Sequence, residues 1–373
     1  MMFIISRKRD ITAYSSLDAS SAVQITFIAI SILIILLKHR RKAIDKLINY
    51  LTISNSKYIF IFSLICFISI IWSGGPLLTF YRSIEQITII FLIALTLLIL
   101  RDKLNHKEIY NWVAFYIYWN FLLLIATRIK LVGINTFSIP FNPGRLFIPL
   151  FFFIILFQRK KIFTKVSALI VNLIFLSNKV YLGITAGFLA FFIGNKTQKI
   201  LSIFLLILGS IYLSFIDVEN FLLNTVFYGR ENISLEDSTG RNNIWEYLIS
   251  EGNKQYLLGY GYAYGENYLL SPQYKGVINA HNIFLSAYIS VGFIGPLLMI
   301  FYFASCFKSF ISIKQTRIRI MCVSSLMLII IINSLGPGLG GRVYGAFIPS
   351  FFILTFLELY YTNRFNKKNK IML

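Results

Sequence analysis

Three short stretches in the second half of this 373-residue chain gather residue types that do chemistry. In Asn279-Ala280-His281-Asn282-Ile283-Phe284-Leu285 an imidazole opens an apolar run that continues to Gly292. The run reads as a helix capped by Asn279, with Phe284, Ala287, Tyr288 and Val291 as its apolar positions and His281 in its first turn. The positive helix end lowers an imidazole's pKa there, leaving the ring neutral and able to accept a proton. In Ser238-Thr239-Gly240-Arg241-Asn242-Asn243-Ile244-Trp245 a second helix opens on Ser238, Thr239 or Gly240 and stops at Gly252, with Ile244, Leu248 and Ile249 on one face. Arg241 then falls in the first turn, a poor place for a cation unless an anion sits there too. Free N–H groups and a guanidinium together would grip a phosphate, and an ion pair with Glu236 or Asp237 is the plainer reading. Between the two lies Leu258-Gly259-Tyr260-Gly261-Tyr262-Ala263-Tyr264-Gly265. Its glycines permit tight backbone. Its tyrosines offer flat faces with polar tips, suited to stacking on sugar rings or to lining a membrane boundary.

These stretches need a scaffold, and composition identifies its solvent. Hydrophobic residues are 57% of the chain and charged residues 14%, too few to cover a soluble surface. The expected fold is all-α, a polytopic transmembrane helical bundle of about eleven spans. Apolar runs lie near 20–37, 58–75, 83–100, 110–127, 146–158, 163–178, 180–194, 200–216, 292–307, 320–335 and 346–362. Cys66, Cys306 and Cys322 fall inside such runs and read as small buried hydrophobes. Met1 to Ile5 is too short an apolar run for a cleavable signal, so the first span is expected to direct its own insertion.

Charge sets orientation. The net charge of +21 would suggest nucleic acid in a soluble protein; in this one it reads as basic residues held on the cytoplasmic side, and no nucleic-acid partner is expected. The segments 38–57, 101–109, 159–165, 195–199, 308–319 and 363–373 hold 23 of the 36 basic residues, while the connections on the other side hold Arg82, Arg128, Lys130, Arg145, Lys179 and Arg342. The C-terminus is therefore expected inside. Eleven spans would place the N-terminus outside, against Arg7, Lys8 and Arg9, which widens the expected count to ten to twelve. The segment 217–277 differs from every other connection. It is long, faces outside by alternation, and holds eight of the fifteen acidic residues against four basic ones. A connection of that length is functional or disordered, and its Trp, Tyr, Gly and helix signals favour an ordered one. The expected organisation is N-terminal spans over 1–216, an extracytoplasmic catalytic loop with short helices over 217–291, and C-terminal spans with a cytoplasmic tail over 292–373. His39 and His106 lie in basic cytoplasmic segments, so His281 is the one imidazole expected outside. No outer cluster has metal-ligand spacing, and neither a metal nor a cofactor is expected.

In order and spacing, Gly240-Arg241-x-x-x-Trp245, Gly259-x-Gly261, His281-Asn282 with Leu285, and Gly292 with Gly295 before an apolar span resemble the O-antigen ligase/polymerase family of bacterial envelope polysaccharide enzymes. The motif resemblance covers about residues 177–307. It implies a cell-membrane glycosyltransferase (the inner membrane in a two-membrane cell) whose substrate partner is a glycan on a polyprenyl diphosphate, with membrane lipids around it and a chain-length regulator as a candidate partner. The glycan's reducing-end sugar would pass to an acceptor hydroxyl, and the lipid diphosphate would leave. In this mechanism His281 accepts the hydroxyl's proton and Asn282 orients it. Arg241 and Lys179, with Arg342 or Arg145, neutralise the leaving diphosphate, and Tyr260 and Tyr262 contact sugar. One departure stands out: where the family has Ser-Arg, this chain has Ser177-Asn178-Lys179, which keeps the charge without the bidentate fork. A diphosphate leaves readily, so no second carboxylate is needed as general acid. Polymerisation of repeat units into O-antigen, capsule or exopolysaccharide is preferred to transfer onto lipid A-core, because nothing in the chain points to a lipid A-core acceptor. A flippase or transporter would need ionisable groups near mid-membrane or paired broken helices. Glu85 and Glu358 lie close to span ends instead. A structural subunit would not need the loop's Arg and His.

Overall fold

The computed structural model describes residues 26, 29–34, 37, 47–103, 241–273, 280–334 and 347–362. Every regular element among them is helical. In chain order they are α1 (Leu47–Ile53), α2 (Lys57–Ile68) with a 3-10 turn over Ser69–Ile71, α3 (Pro76–Lys103), α4 (Arg241–Lys254), α5 (Tyr264–Gln273), α6 (Ile283–Val291), α7 (Ile294–Ile311), α8 (Thr316–Ser334) and α9 (Phe347–Tyr361). The expected spans near 110–127, 146–158, 163–178, 180–194 and 200–216 lie outside the described residues, as do Lys179, Arg145, Arg342 and Asn279. So the total span count rests on sequence alone.

Three helices in the described part are long and apolar enough to cross a membrane: α3 over Pro76–Arg101, α7 and α8. A fourth candidate is the α1–α2 pair, bent by 101° at Ser54-Asn55-Ser56, and α9 holds a shorter apolar stretch over Ser350–Tyr361. The apolar runs near 83–100, 292–307, 320–335 and 346–362 thus become α3, α7, α8 and α9, with ends shifted by a few residues. Large apolar side chains on the outer faces stay exposed, among them Ile61, Leu64, Ile68, Ile71, Leu77, Phe293, Ile300 and Phe301. Exposed apolar side chains of this kind are what a lipid-facing wall requires. Cys66, Cys306 and Cys322 are buried thiols outside any disulfide, as expected.

The spans pack as a bundle in which α2 contacts α3 and α7, α3 contacts α9, and α7 contacts α8. Two ends separate clearly. At one end the α1–α2 break meets α7 and α9: the Asn55 amide N–H donates to Glu358 Oε1 at 2.8 Å, and Asn55 Nδ2 donates to Ser309 Oγ at 3.1 Å. At the other, the α2–α3 turn meets the segment that follows α4: Trp72 Nε1 donates to the Leu258 carbonyl at 2.9 Å, and Thr79 Oγ1 donates to the Tyr262 carbonyl at 3.0 Å. The basic segments around 54–57 and 312–315 lie at the first end and the motif stretches at the second, the separation that the charge asymmetry calls for. Arg82, expected in a connection, is instead inside α3. It is buried and paired with Glu85 one turn on, at 2.8 Å. The span simply begins earlier than its apolar run, at Pro76, where a missing N–H costs a helix nothing.

Candidate functional site

Three short helices, α4, α5 and α6, form the motif end. Ile244 and Leu248 of α4, Leu269 and Leu270 of α5, and Ala280, Leu285 and Ile289 bury against one another in a small core of their own. The opposite stripe of α6, Ile283, Ala287 and Val291, is buried in the main core of the spans. A helix apolar on both sides is a buried helix, and α6 therefore welds the loop to the bundle.

Two details of α4 differ from the sequence expectation. Ile249 is exposed, and the buried stripe runs Ile244, Leu248, Gly252 at intervals of four. Gly252 does not stop the helix, which continues to Lys254; a Cβ there would meet the Tyr288 ring at 2.5 Å, so the glycine makes room for α6. Arg241 is the first described residue of the helix, and the expected cap residues Ser238, Thr239 and Gly240 lie outside the described residues.

The glycine-tyrosine stretch runs alongside the end of α6 through backbone bonds. Tyr260 N–H donates to the Ile289 carbonyl at 2.8 Å, Gly261 N–H to the Ser290 carbonyl at 3.0 Å, and Phe293 N–H to the Tyr256 carbonyl at 2.8 Å. Gly259 and Gly292 face one another across this seam with φ of +66° and +71°. A Cβ on Gly259 would lie 2.7 Å from the Gly292 nitrogen, and one on Gly292 would overlap the Leu257 carbonyl. Only glycine gives both the dihedral and the approach. The tyrosines divide in role. Tyr262 is buried among span residues, its N–H on Ser69 Oγ at 3.1 Å, so its ring offers no face to a sugar. Burial pushes its phenol well above the ordinary value, and the hydroxyl stays protonated. Tyr260 is partly exposed, with its hydroxyl donating to the Glu251 carbonyl at 3.0 Å, and Tyr264 stacks on Tyr268 with ring centroids 5.2 Å apart.

The imidazole-bearing turn departs from the sequence reading in one respect. The N-cap of α6 is Asn282 and not Asn279: Asn282 is extended, with φ −147° and ψ 122°, and its Oδ1 accepts from Phe284 N at 2.9 Å and Leu285 N at 3.2 Å. His281 therefore stands one residue before the cap, in the left-handed region at φ +54°, half-buried, with its Nδ1 among buried atoms. A non-glycine residue there is strained and persists only where its surroundings fix it. They do so from both sides. Trp245 Nε1 donates to the Ala280 carbonyl at 2.7 Å, and the Ala280 N–H donates to Glu266 Oε1 at 3.2 Å. The first of these bonds joins the Gly-Arg-x-x-x-Trp helix to the His-Asn turn. Arg241 lies four positions before Trp245 on α4, about 6 Å along its axis.

Residues 163–301 match the O-antigen ligase family. The resemblance carried by Gly240, Arg241, Trp245, Gly259, Gly261, His281 and Gly292 is thus borne out over that segment, which contains α4, α5 and α6 whole and the start of α7. That segment is therefore similar to O-antigen ligases, and the apolar helices beside it point to a membrane protein. No curated protein matches the chain at a significant level. Sequence reasoning missed Glu266 and α5. Glu266 was one of the scattered loop acids, and Gly265 and Pro272 hide the helix that carries it. The available signal was its place in the first turn of an apolar stretch, where a carboxylate suits the helix end.

Proposed function

We propose that the chain polymerises oligosaccharide repeat units carried on a polyprenyl diphosphate, at the outer face of the cell membrane. The acceptor is the next lipid-linked unit. Its hydroxyl oxygen bonds to the anomeric carbon of the growing chain as the bond from that carbon to phosphate oxygen breaks. The electron pair leaves with the polyprenyl diphosphate, and the hydroxyl proton passes to His281. Arg241, with Lys179 and Arg342 or Arg145, compensates the charge of the leaving diphosphate. Asn282 serves as cap and orients the acceptor with its amide nitrogen. Tyr260 contacts sugar from the exposed side of the seam.

The observation that carries this reading is the Trp245–Ala280 bond, because it couples the helix bearing Arg241 to the turn holding His281. Proton acceptance and diphosphate binding need groups held close together on rigid elements, and a bond that joins the two motif-bearing elements supports that reading. Transfer onto lipid A-core follows the same bond changes with a different acceptor, and the ligase description of the matched family keeps it as the second reading.

Glycan profiling in a deletion strain complemented with wild type or His281→Ala tests both. Under the polymerase reading, His281→Ala inserts and accumulates normally yet leaves single repeat units in place of long chains. Long chains accumulating on polyprenyl diphosphate would favour the ligase reading, and normal polymer with His281→Ala would refute both.

A further inference from the structure

The His281 turn is held open by groups that take no part in the steps above, and Glu266 is chief among them. Glu266 is fully buried, in the first turn of α5. Its Oε1 accepts from two donors on opposite sides of His281: the Ala280 N–H at 3.2 Å, one residue before, and the Ser286 hydroxyl in a short bond, one turn into α6. The same atom therefore spans the strained residue. Burying a carboxylate is costly unless it is firmly bonded, and packing the apolar faces of α4 and α6 does not require one. Trp245 holds the Ala280 carbonyl and Asn282 the first N–H groups of α6, while Glu266 adds the bonds to the Ala280 N–H and the Ser286 hydroxyl.

We infer that Glu266 is a positioning residue for glycan transfer, holding the left-handed His281 in its reactive place through Ala280 and Ser286. The inference rests on the proposed role of His281 and adds the group that aims it. Misplacing a catalytic group by about 1 Å costs about a hundredfold in rate with little effect on binding. A glutamine keeps an acceptor oxygen for both bonds, whereas an alanine removes it.

The test uses full-length protein in proteoliposomes, with lipid-linked oligosaccharide extracted from a deletion strain as substrate. Initial rates are measured against substrate concentration for wild type, Glu266→Ala, Glu266→Gln and His281→Ala. Glu266→Ala is expected to lower kcat about a hundredfold with KM within about threefold, and Glu266→Gln to return kcat to within about tenfold of wild type. A Glu266→Ala kcat within threefold of wild type, or a loss confined to KM, overturns the inference. Where Glu266→Ala fails to accumulate, Ser286→Ala is read instead: kcat about tenfold down at unchanged KM supports the inference, and unchanged kcat overturns it. His281→Ala separates the two levels. If it abolishes transfer while Glu266→Ala does not, only the positioning role fails; if it leaves transfer intact, the functional reading fails with it.

Discussion

Both ends of the bundle bury polar groups, and they use them in opposite ways. At the α1–α2 break, Asn55 is a hub: its N–H reaches Glu358, its Nδ2 reaches Ser309, and its Oδ1 accepts from Ser305 Oγ at 2.5 Å. Tyr50 and Ser56 share a bond of 2.6 Å beside it. The first of these satisfies a backbone N–H freed where a helix bends by 101°, and the others tie side chains at the break to one another and to α7. At the motif end, the bonds hold backbone that would otherwise relax. Every positive-φ residue among the described residues is there: Gly259, Gly261, Ala263, His281 and Gly292. One end spends its polar groups on closing the helix bundle and the other on maintaining strain, and strain of this kind gathers at functional sites.

Substitutions can break that contrast. The largest effect is expected for Gly292→Ala, which sets a Cβ onto the Leu257 carbonyl in a dihedral that disfavours it. A loss of about 3 kcal/mol, seen as a lower Tm and less accumulated protein, follows from overpacking and strain together. A silent Gly292→Ala would mean that the seam between the glycine-tyrosine stretch and α6 is not rigid. Next comes Glu358→Ala, which strips the Asn55 N–H of its buried acceptor and should cost about 1–3 kcal/mol. Its Tm should fall while kcat of the folded fraction stays near wild type. A large loss of kcat would mean that the two ends are coupled. Asn282 gives the smallest and most discriminating pair. Asn282→Ala should lose about 1 kcal/mol of stability with its cap. Asn282→Asp keeps the cap oxygen, so stability should hold while the rate falls about tenfold, the amide donor being lost. Full activity in Asn282→Asp would reduce Asn282 to a cap.

The membrane-spanning part was readable because its signal is additive. In α3, α7, α8 and α9 each apolar residue adds to the same conclusion, and errors at Arg82 or Ile311 move an end without moving the helix. The motif end was readable only in part. Arg241 lies in a helix as expected, while its three cap candidates lie outside the described residues. The cap of α6 was misplaced by three residues because Asn279 and Asn282 are equally good caps by type. What decides between them is a tertiary clamp on Ala280, from Trp245 and Glu266, residues 35 and 14 positions away in the chain. Tyr262 looked like Tyr260 for the same reason: period and type are shared, and only the docking of its backbone on Ser69 and Thr79 buries it. Sequence reading fails where a role is set by a long-range bond rather than by spacing.

The account depends on His281 accepting a proton while a lipid diphosphate departs. Purified protein in proteoliposomes, given lipid-linked oligosaccharide from a deletion strain, allows free polyprenyl diphosphate to be counted against glycosidic bonds formed. The expected result is one diphosphate released per bond, with His281→Ala slowing both by about 10²–10⁴-fold. Bond formation without diphosphate release, or release at the wild-type rate from His281→Ala, would contradict it.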